Sequence, residues 1–231
     1  MHGLTTELYL AQVAQWPQEG KHILAHFDDD AVVVYQAYRP AIGHFAATHG
    51  YFSGEFSFTR MSWIKPIFLW MMYRCGWGTK ADQEVILAIW LKRAAFDAIL
   101  AEAVPSIFHS EMYPDELTWQ QAVADSSVRV QWDPDHDPSG KPVARRAIQL
   151  GLCGDVLRKY AQAWIVRIDD ISALVREQRA NASSSRYTHL LLPKERVYPV
   201  RDEQLAQRLG ISSAKEENAA LQLDHFEGFF R

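Results

Sequence analysis

Arg60, Lys65 and Arg74 stand in TRMSWIKPIFLWMMYRCGWGTK, a segment otherwise dominated by apolar and aromatic side chains. Pro66 marks the expected first position of a helix running to about Cys75. A helix start offers free backbone N–H groups and a partial positive charge, so a cation there opposes the dipole. Arg60 and Lys65 at such an end invite a phosphate or a carboxylate. The structural alternative is that both pair with carboxylates of the chain, such as Asp28–Asp30. Arg74 suits the opposite end of the helix, where the dipole favours a cation. Gly76 and Gly78 flank Trp77 and permit either a sharp turn or close approach to a ligand.

Other segments offer polar side chains at strand spacing. In Tyr35-Gln36-Ala37-Tyr38, alternation sets Gln36 and Tyr38 on one face, and Tyr35 and Ala37 on the other. A buried glutamine needs partners, either a ligand amide or a neighbouring loop. Gln131–Asp137 places acidic oxygens at alternate positions. It lacks the spacing and closing glutamate of a calcium loop, so a hairpin turn is expected. The return strand brings Arg145, Arg146 and Gln149 towards the same region. His22 and His26 are four apart without a third ligand at sensible spacing, and no metal is expected. GxSxG, HExxH, P-loop and GxGxxG patterns are absent.

These side chains must be carried by one fold. The 231 residues are 48% hydrophobic, enough for a sizeable core, with a formal net charge of −4. That balance excludes a surface basic throughout, so anion binding must be local. Two cysteines, Cys75 and Cys153, imply no disulfide framework and a reducing compartment. The N-terminus lacks a secretory pattern, and the longest apolar run, Ile67–Tyr73, falls far short of the roughly 20 residues needed to span a bilayer. A cytoplasmic protein without a membrane partner is expected. Nothing in the pattern speaks to oligomeric state.

Helices are expected over residues 4–15, from Pro40 to Gly50, and over 66–75, 93–103, 154–163 and 171–180. Strands are expected at 31–38, 84–91, 128–132, 144–152 and 164–168, with an extended segment at 190–200. Residues 104–126 are ambiguous. This order implies an α+β fold, one compact domain with mixed, largely antiparallel sheets and flanking helices. The domain is expected over residues 1–200, followed by a charged tail at 201–231, helical or mobile.

The motifs VVVYQAY, RMSWIKPIFLWMMYRCGWGTK, VRVQWDP, RRAIQLGL, WIVRIDDI and LLLPKERVYPV together resemble domain-of-unknown-function family 4291 over about residues 21–200. Two positions depart from the family pattern: Leu24 replaces a usual arginine and Ile67 a usual serine. The element order also resembles ADP-ribosyltransferase-like folds. That resemblance implies NAD as cofactor, with Gln36, Ser62, Trp63 and Tyr73 towards the nicotinamide and Arg60 and Lys65 towards phosphates. It sets Gln149 or Glu84 nearest the usual catalytic glutamate. The first-strand His or Arg and the EXE or QXE signature are absent. The expected site is therefore a cleft for a small anionic ligand or nucleotide. Its candidate catalytic residues are Gln149, Glu84 and Tyr73. Its candidate binding residues are Tyr35, Gln36, Tyr38, Arg60, Ser62, Trp63, Lys65, Arg74, Trp77 and Arg146. Alternatives are binding or processing of nucleic acid, and a non-enzymatic interaction domain.

Overall fold

The computed structural model describes residues 3–212. Strand β1 (Thr6–Leu8) runs directly into helix α1 (Tyr9–Val13), where the sequence suggests one helix over residues 4–15. The reason is long-range pairing: Thr6–Leu8 forms an antiparallel ladder with Leu191–Pro193. Gln12 is buried, donates to the Pro193 carbonyl (3.1 Å) and accepts from the Glu195 N–H (2.7 Å). Strands β2 (Gly20–Lys21) and β3 (Leu24–Ala25) lead to the acidic turn, where Asp28 Oδ1 accepts from the N–H groups of Asp30 and Ala31. β4 (Ala31–Tyr38) is built of β-branched and aromatic residues, as its pattern suggests. In α2 (Pro40–His49), proline opens the first turn and Gly50 closes the last with φ 76°.

After β5 (Ser62–Ile64), the chain stays extended for longer than Pro66 implies. Lys65 and Tyr35 exchange backbone hydrogen bonds (2.7 and 3.3 Å), and Ile67 is extended, so α3 spans Phe68–Cys75. β6 (Val85–Lys92) and α4 (Arg93–Glu102) follow the expected pattern. The ambiguous stretch resolves into β7 (Ala103–Pro105) and α5 (Glu116–Asp125). β8 (Val128–His136) runs on through the expected turn, because a bulge between Pro134 and His136 turns Asp135 inward to Arg145. The reversal is confined to Asp137–Gly140 before β9 (Pro142–Leu152).

Helix α6 (Gly154–Lys159) continues as one π-helical turn, Tyr160–Trp164. β10 (Ile165–Asp170), α7 (Ser172–Arg179) and a 3-10 turn (Ser184–His189) come next. The extended segment holds β11 (Leu191–Pro193) and β12 (Arg196–Val197), and α8 (Glu203–Leu209) opens the charged tail. The remaining tail expectation, over residues 213–231, lies outside the described residues.

The protein is a single compact α+β domain. A central antiparallel sheet, β10-β6-β4, is buried on both faces. Val32, Val34, Leu87 and Ile89 pack on one side, against Val128, Val130, Ile148 and Leu150 of the second sheet. Val33, Tyr35, Ile86 and Ala88 pack on the other, beneath α3. The second sheet, β2-β9-β8-β7 with β5 on β9, mixes parallel and antiparallel pairs. The β5–Lys65 segment touches both sheets, pairing with β9 through Ser62–Ile64 and with β4 at Tyr35. That link positions the candidate site.

Candidate functional site

A cleft of about 560 Å³ opens where the end of β4, the loop before β5, β5 itself and α3 meet. Gln36, Tyr38, Arg60, Ser62, Trp63, Lys65 and Arg74 all line it. Seven of the side chains singled out in the sequence therefore share one cavity. Met71 and Arg74, three residues apart on α3, present the same helical face to it. The cleft thus runs alongside the helix and reaches Arg74, although Arg74 and Lys65 flank opposite ends of that helix.

Lys65 is 6% exposed, and its amine contacts the Trp63 carbonyl at 3.4 Å. Burial pushes the amine down to about 8 and the Arg74 charge pushes the same way, while Asp133 opposes both. Arg60 and Arg74 are exposed at the rim. Arg74 also lies over the Trp70 ring, 5.9 Å from its centroid. Among the described residues, none of these three cations forms an ion pair. The acidic turn instead serves Arg93, which reaches the Asp28 carbonyl at 3.2 Å and Asp29 at 4.0 Å. Glu55 and Asp82 are the carboxylates of the cleft wall, and Glu55 is held by Arg39 at 2.6 Å.

Gln36 lies in the wall with its polar atoms committed within the protein. Its amide donates to Ser62 Oγ (2.8 Å) and the Trp63 carbonyl (3.2 Å), and its carbonyl accepts from the Tyr160 hydroxyl (2.6 Å). Tyr38 hydrogen-bonds the same Ser62 oxygen at 3.1 Å. Gln36 therefore fixes β5 against β4 and orients Ser62. Replacing Gln36 with leucine strands the buried Tyr160 hydroxyl and is expected to cost ~1–3 kcal/mol, measurable by urea denaturation. Tyr160 escaped the sequence reading because its reach depends on the π-helical turn in which it sits.

The start of α3 is not an anion site. Its Phe68 N–H donates to Glu195 Oε1 at 2.8 Å, and Glu195 is 1% exposed. The chain supplies its own carboxyl oxygen there, so Arg60 and Lys65 face the cleft without help from that helix end. Burial pushes the Glu195 carboxyl up to about 8, opposed by the Phe68 hydrogen bond. The Tyr35 hydroxyl neighbours this carboxyl group outside ordinary hydrogen-bond geometry. Nothing in LLLPKERVYPV marks Glu195 as a helix cap, since its partner lies 127 residues away.

The other candidates stand elsewhere. Tyr35 is fully buried beneath α3, packed edge-on to Phe68. Tyr73 stacks on His136 with ring centroids 3.6 Å apart, and it borders a separate depression with Trp77. The Trp77 indole donates to the Pro138 carbonyl at 3.2 Å, a packing role. Glu84 is exposed, lies outside the cleft and accepts from the Asp82 N–H at 3.0 Å. Arg146 donates to the Trp132 carbonyl at 3.0 Å and borders a different cavity. Gln149 donates to Asp133 Oδ2 (2.7 Å), and Gln131 donates to Oδ1 (2.9 Å). Two amides thus hold the half-buried Asp133 in the position from which it acts on Lys65. In the sequence, Asp133 reads as part of a turn. Leu24 and Ile67, the two departures from the family pattern, are buried in the core and line no part of the cleft. No group of three His, Cys, Asp or Glu side chains among the described residues is placed to hold a metal. No described helix is long and apolar enough to cross a membrane.

No curated protein matches the chain. The family model described as Domain of unknown function (DUF4291) matches residues 22–198. That span includes the whole cleft, the Tyr160 turn and the Glu195 cap. The protein belongs to the DUF4291 family.

Proposed function

We propose that the cleft binds an anionic ligand of nucleotide size, with its phosphates against Lys65, Arg60 and Arg74. The observation that carries this reading is Lys65. Its amine is buried in the cleft without an ion pair among the described residues, and the depressing effect of burial and of the Arg74 charge outweighs the opposing charge of Asp133. Desolvating a cation beside another cation costs stability, and an incoming phosphate offsets that cost. Arg60 and Arg74 add charge at the rim, where salt screens it more strongly.

NAD is one such ligand, and its pyrophosphate suits these cations. ADP-ribosyl transfer would need a carboxylate beside the ribose. Gln149 and Glu84 lie outside the cleft, so transfer would draw on Glu55 or Asp82 of its wall. The proposal is therefore for binding first, with transfer as its extension.

Isothermal titration with NAD, ADP-ribose and ATP tests the binding, and mass spectrometry for released nicotinamide tests the transfer. At least one nucleotide is expected to bind with a single site and with affinity that falls as salt rises. A short single-stranded oligonucleotide in the same series separates a free nucleotide from nucleic acid, whose affinity falls more steeply with salt. Absence of binding by every nucleotide at millimolar concentration overturns the proposal.

A further inference from the structure

A second cavity, of about 480 Å³, shares no residue with the cleft. It lies beside β8 and β9, between residues 105–112 and α8. Lys21, Arg146 and Arg208 line it, against a single carboxylate, that of Glu111. In the parallel pairing of β2 with β9, Lys21 is the register partner of Arg146. Register partners project from the same face of a sheet, so two like charges are set side by side. Such a pair is unfavourable by itself.

Nothing described in the protein neutralises it. Among the described residues, none of the three cations has an ion-pair partner. The two arginines are held by backbone carbonyls instead. Arg146 donates to the Trp132 carbonyl at 3.0 Å and Arg208 to the Ala101 carbonyl. The Lys21 amine lies over Gly210, whose added Cβ would stand 3.2 Å away. Gly210 closes α8 in the left-handed conformation at φ 67°, so a side chain there would both strain the backbone and crowd the amine. Carbonyls orient cations without cancelling their charge.

Beside these charges the wall is mixed: Ser106, His109, Gln131 and Gln207 are polar, and one stretch of it is apolar. Trp132 has its indole N–H occupied by the Leu209 carbonyl (2.9 Å), and Ile107, Met112 and Val130 stand with it. We propose that this cavity is a second ligand site, for a small amphiphilic anion with a phosphate or carboxylate head on an aromatic or apolar body. The head meets Lys21 and Arg146, and the body packs beside Trp132 and Met112. The inference does not depend on the function proposed for the cleft.

The probes are phenyl phosphate and inorganic phosphate, titrated calorimetrically into full-length protein carrying Lys65→Met, which removes the buried cation of the first cleft. Phenyl phosphate is expected to bind at one site at least tenfold more tightly than inorganic phosphate and to shift the Trp132 indole N–H resonance. Adding Lys21→Gln with Arg146→Gln is expected to lower that affinity at least tenfold. Arg208→Gln, an exposed position outside the sheet, is expected to lower it severalfold and keeps the test valid should the double variant fail to fold. Equal affinity for the two probes, no binding, or binding unmoved by these substitutions overturns the proposal.

Discussion

Replacing Lys65 with methionine is expected to stabilise the protein at pH 7 and to abolish most of its affinity for a phosphate-bearing ligand. The two effects share one cause. The amine of Lys65 has been taken out of water without an ion-pair partner among the described residues, and its proton affinity falls from 10.5 to about 8. That drop of roughly 2.5 units corresponds to ~3 kcal/mol of strain on the charged form. Methionine keeps the stem and discards the charge, so a gain of ~1–3 kcal/mol is expected in urea denaturation. Loss of a charge-assisted hydrogen bond to phosphate removes ~1.5–3 kcal/mol of binding, or about 10- to 100-fold in affinity. A lysine kept only for packing would show the stability change without the binding change. Alkaline pH supplies the sign check. Between about 8 and 10.5 the unfolded chain holds the Lys65 proton and the folded protein releases it. Stability of the parent protein should therefore rise across that window, closing the gap to Lys65→Met. A gap that stays constant to pH 10 would show that the amine is not the origin of the strain.

The convergence of these side chains was legible in the sequence, but its physical basis was not. Arg60, Lys65 and Arg74 stand out as cations within an apolar run, and that run does form a buried helix. The expected helix dipole at Lys65 fails because Lys65 is still extended, bridging to Tyr35, and because Glu195 takes the first free N–H of α3. Both reasons are long-range pairings, invisible to any local window. The same holds for β1, three residues long and paired to β11 more than 180 residues away in sequence. Local chemistry misled most at Asp133–His136. Aspartate and proline are turn residues by propensity. Here a bulge and the buried Asp135–Arg145 pair (2.5 Å) extend the strand through them. The continued strand is what places Asp133 between two glutamine amides, where its charge reaches Lys65. Gln149 was singled out as a candidate catalytic residue. Its amide instead holds Asp133, the carboxylate that acts on the buried amine.

Glu195 should make the protein less stable as pH rises from about 4.5 to about 8, the reverse of ordinary acid denaturation. Its carboxyl is moved from 4.5 to about 8 by burial, with the negative charge of Asp135 adding to the shift. In that window the folded protein keeps a proton that the unfolded chain has released. The contribution is fully present below about 4.5 and is lost as pH rises through about 8. The slope can reach ~1.4 kcal/mol per pH unit, with a ceiling of ~5 kcal/mol across the window. Glu195→Gln keeps an oxygen to accept the Phe68 N–H and removes the titration. Its urea midpoint should therefore hold level from pH 5 to pH 8 relative to the parent, which should decline. Parallel profiles for the two proteins would rule Glu195 out as the source. The variant also separates two events that coincide near pH 8. Ionising Glu195 sets a second negative charge near Asp135, beneath the helix that carries Arg74, whereas deprotonating Lys65 removes the cation at the floor of the cleft. If ligand affinity falls above pH 8 in Glu195→Gln as it does in the parent, the loss belongs to Lys65. If the variant holds its affinity, the helix and its buried cap control the cleft.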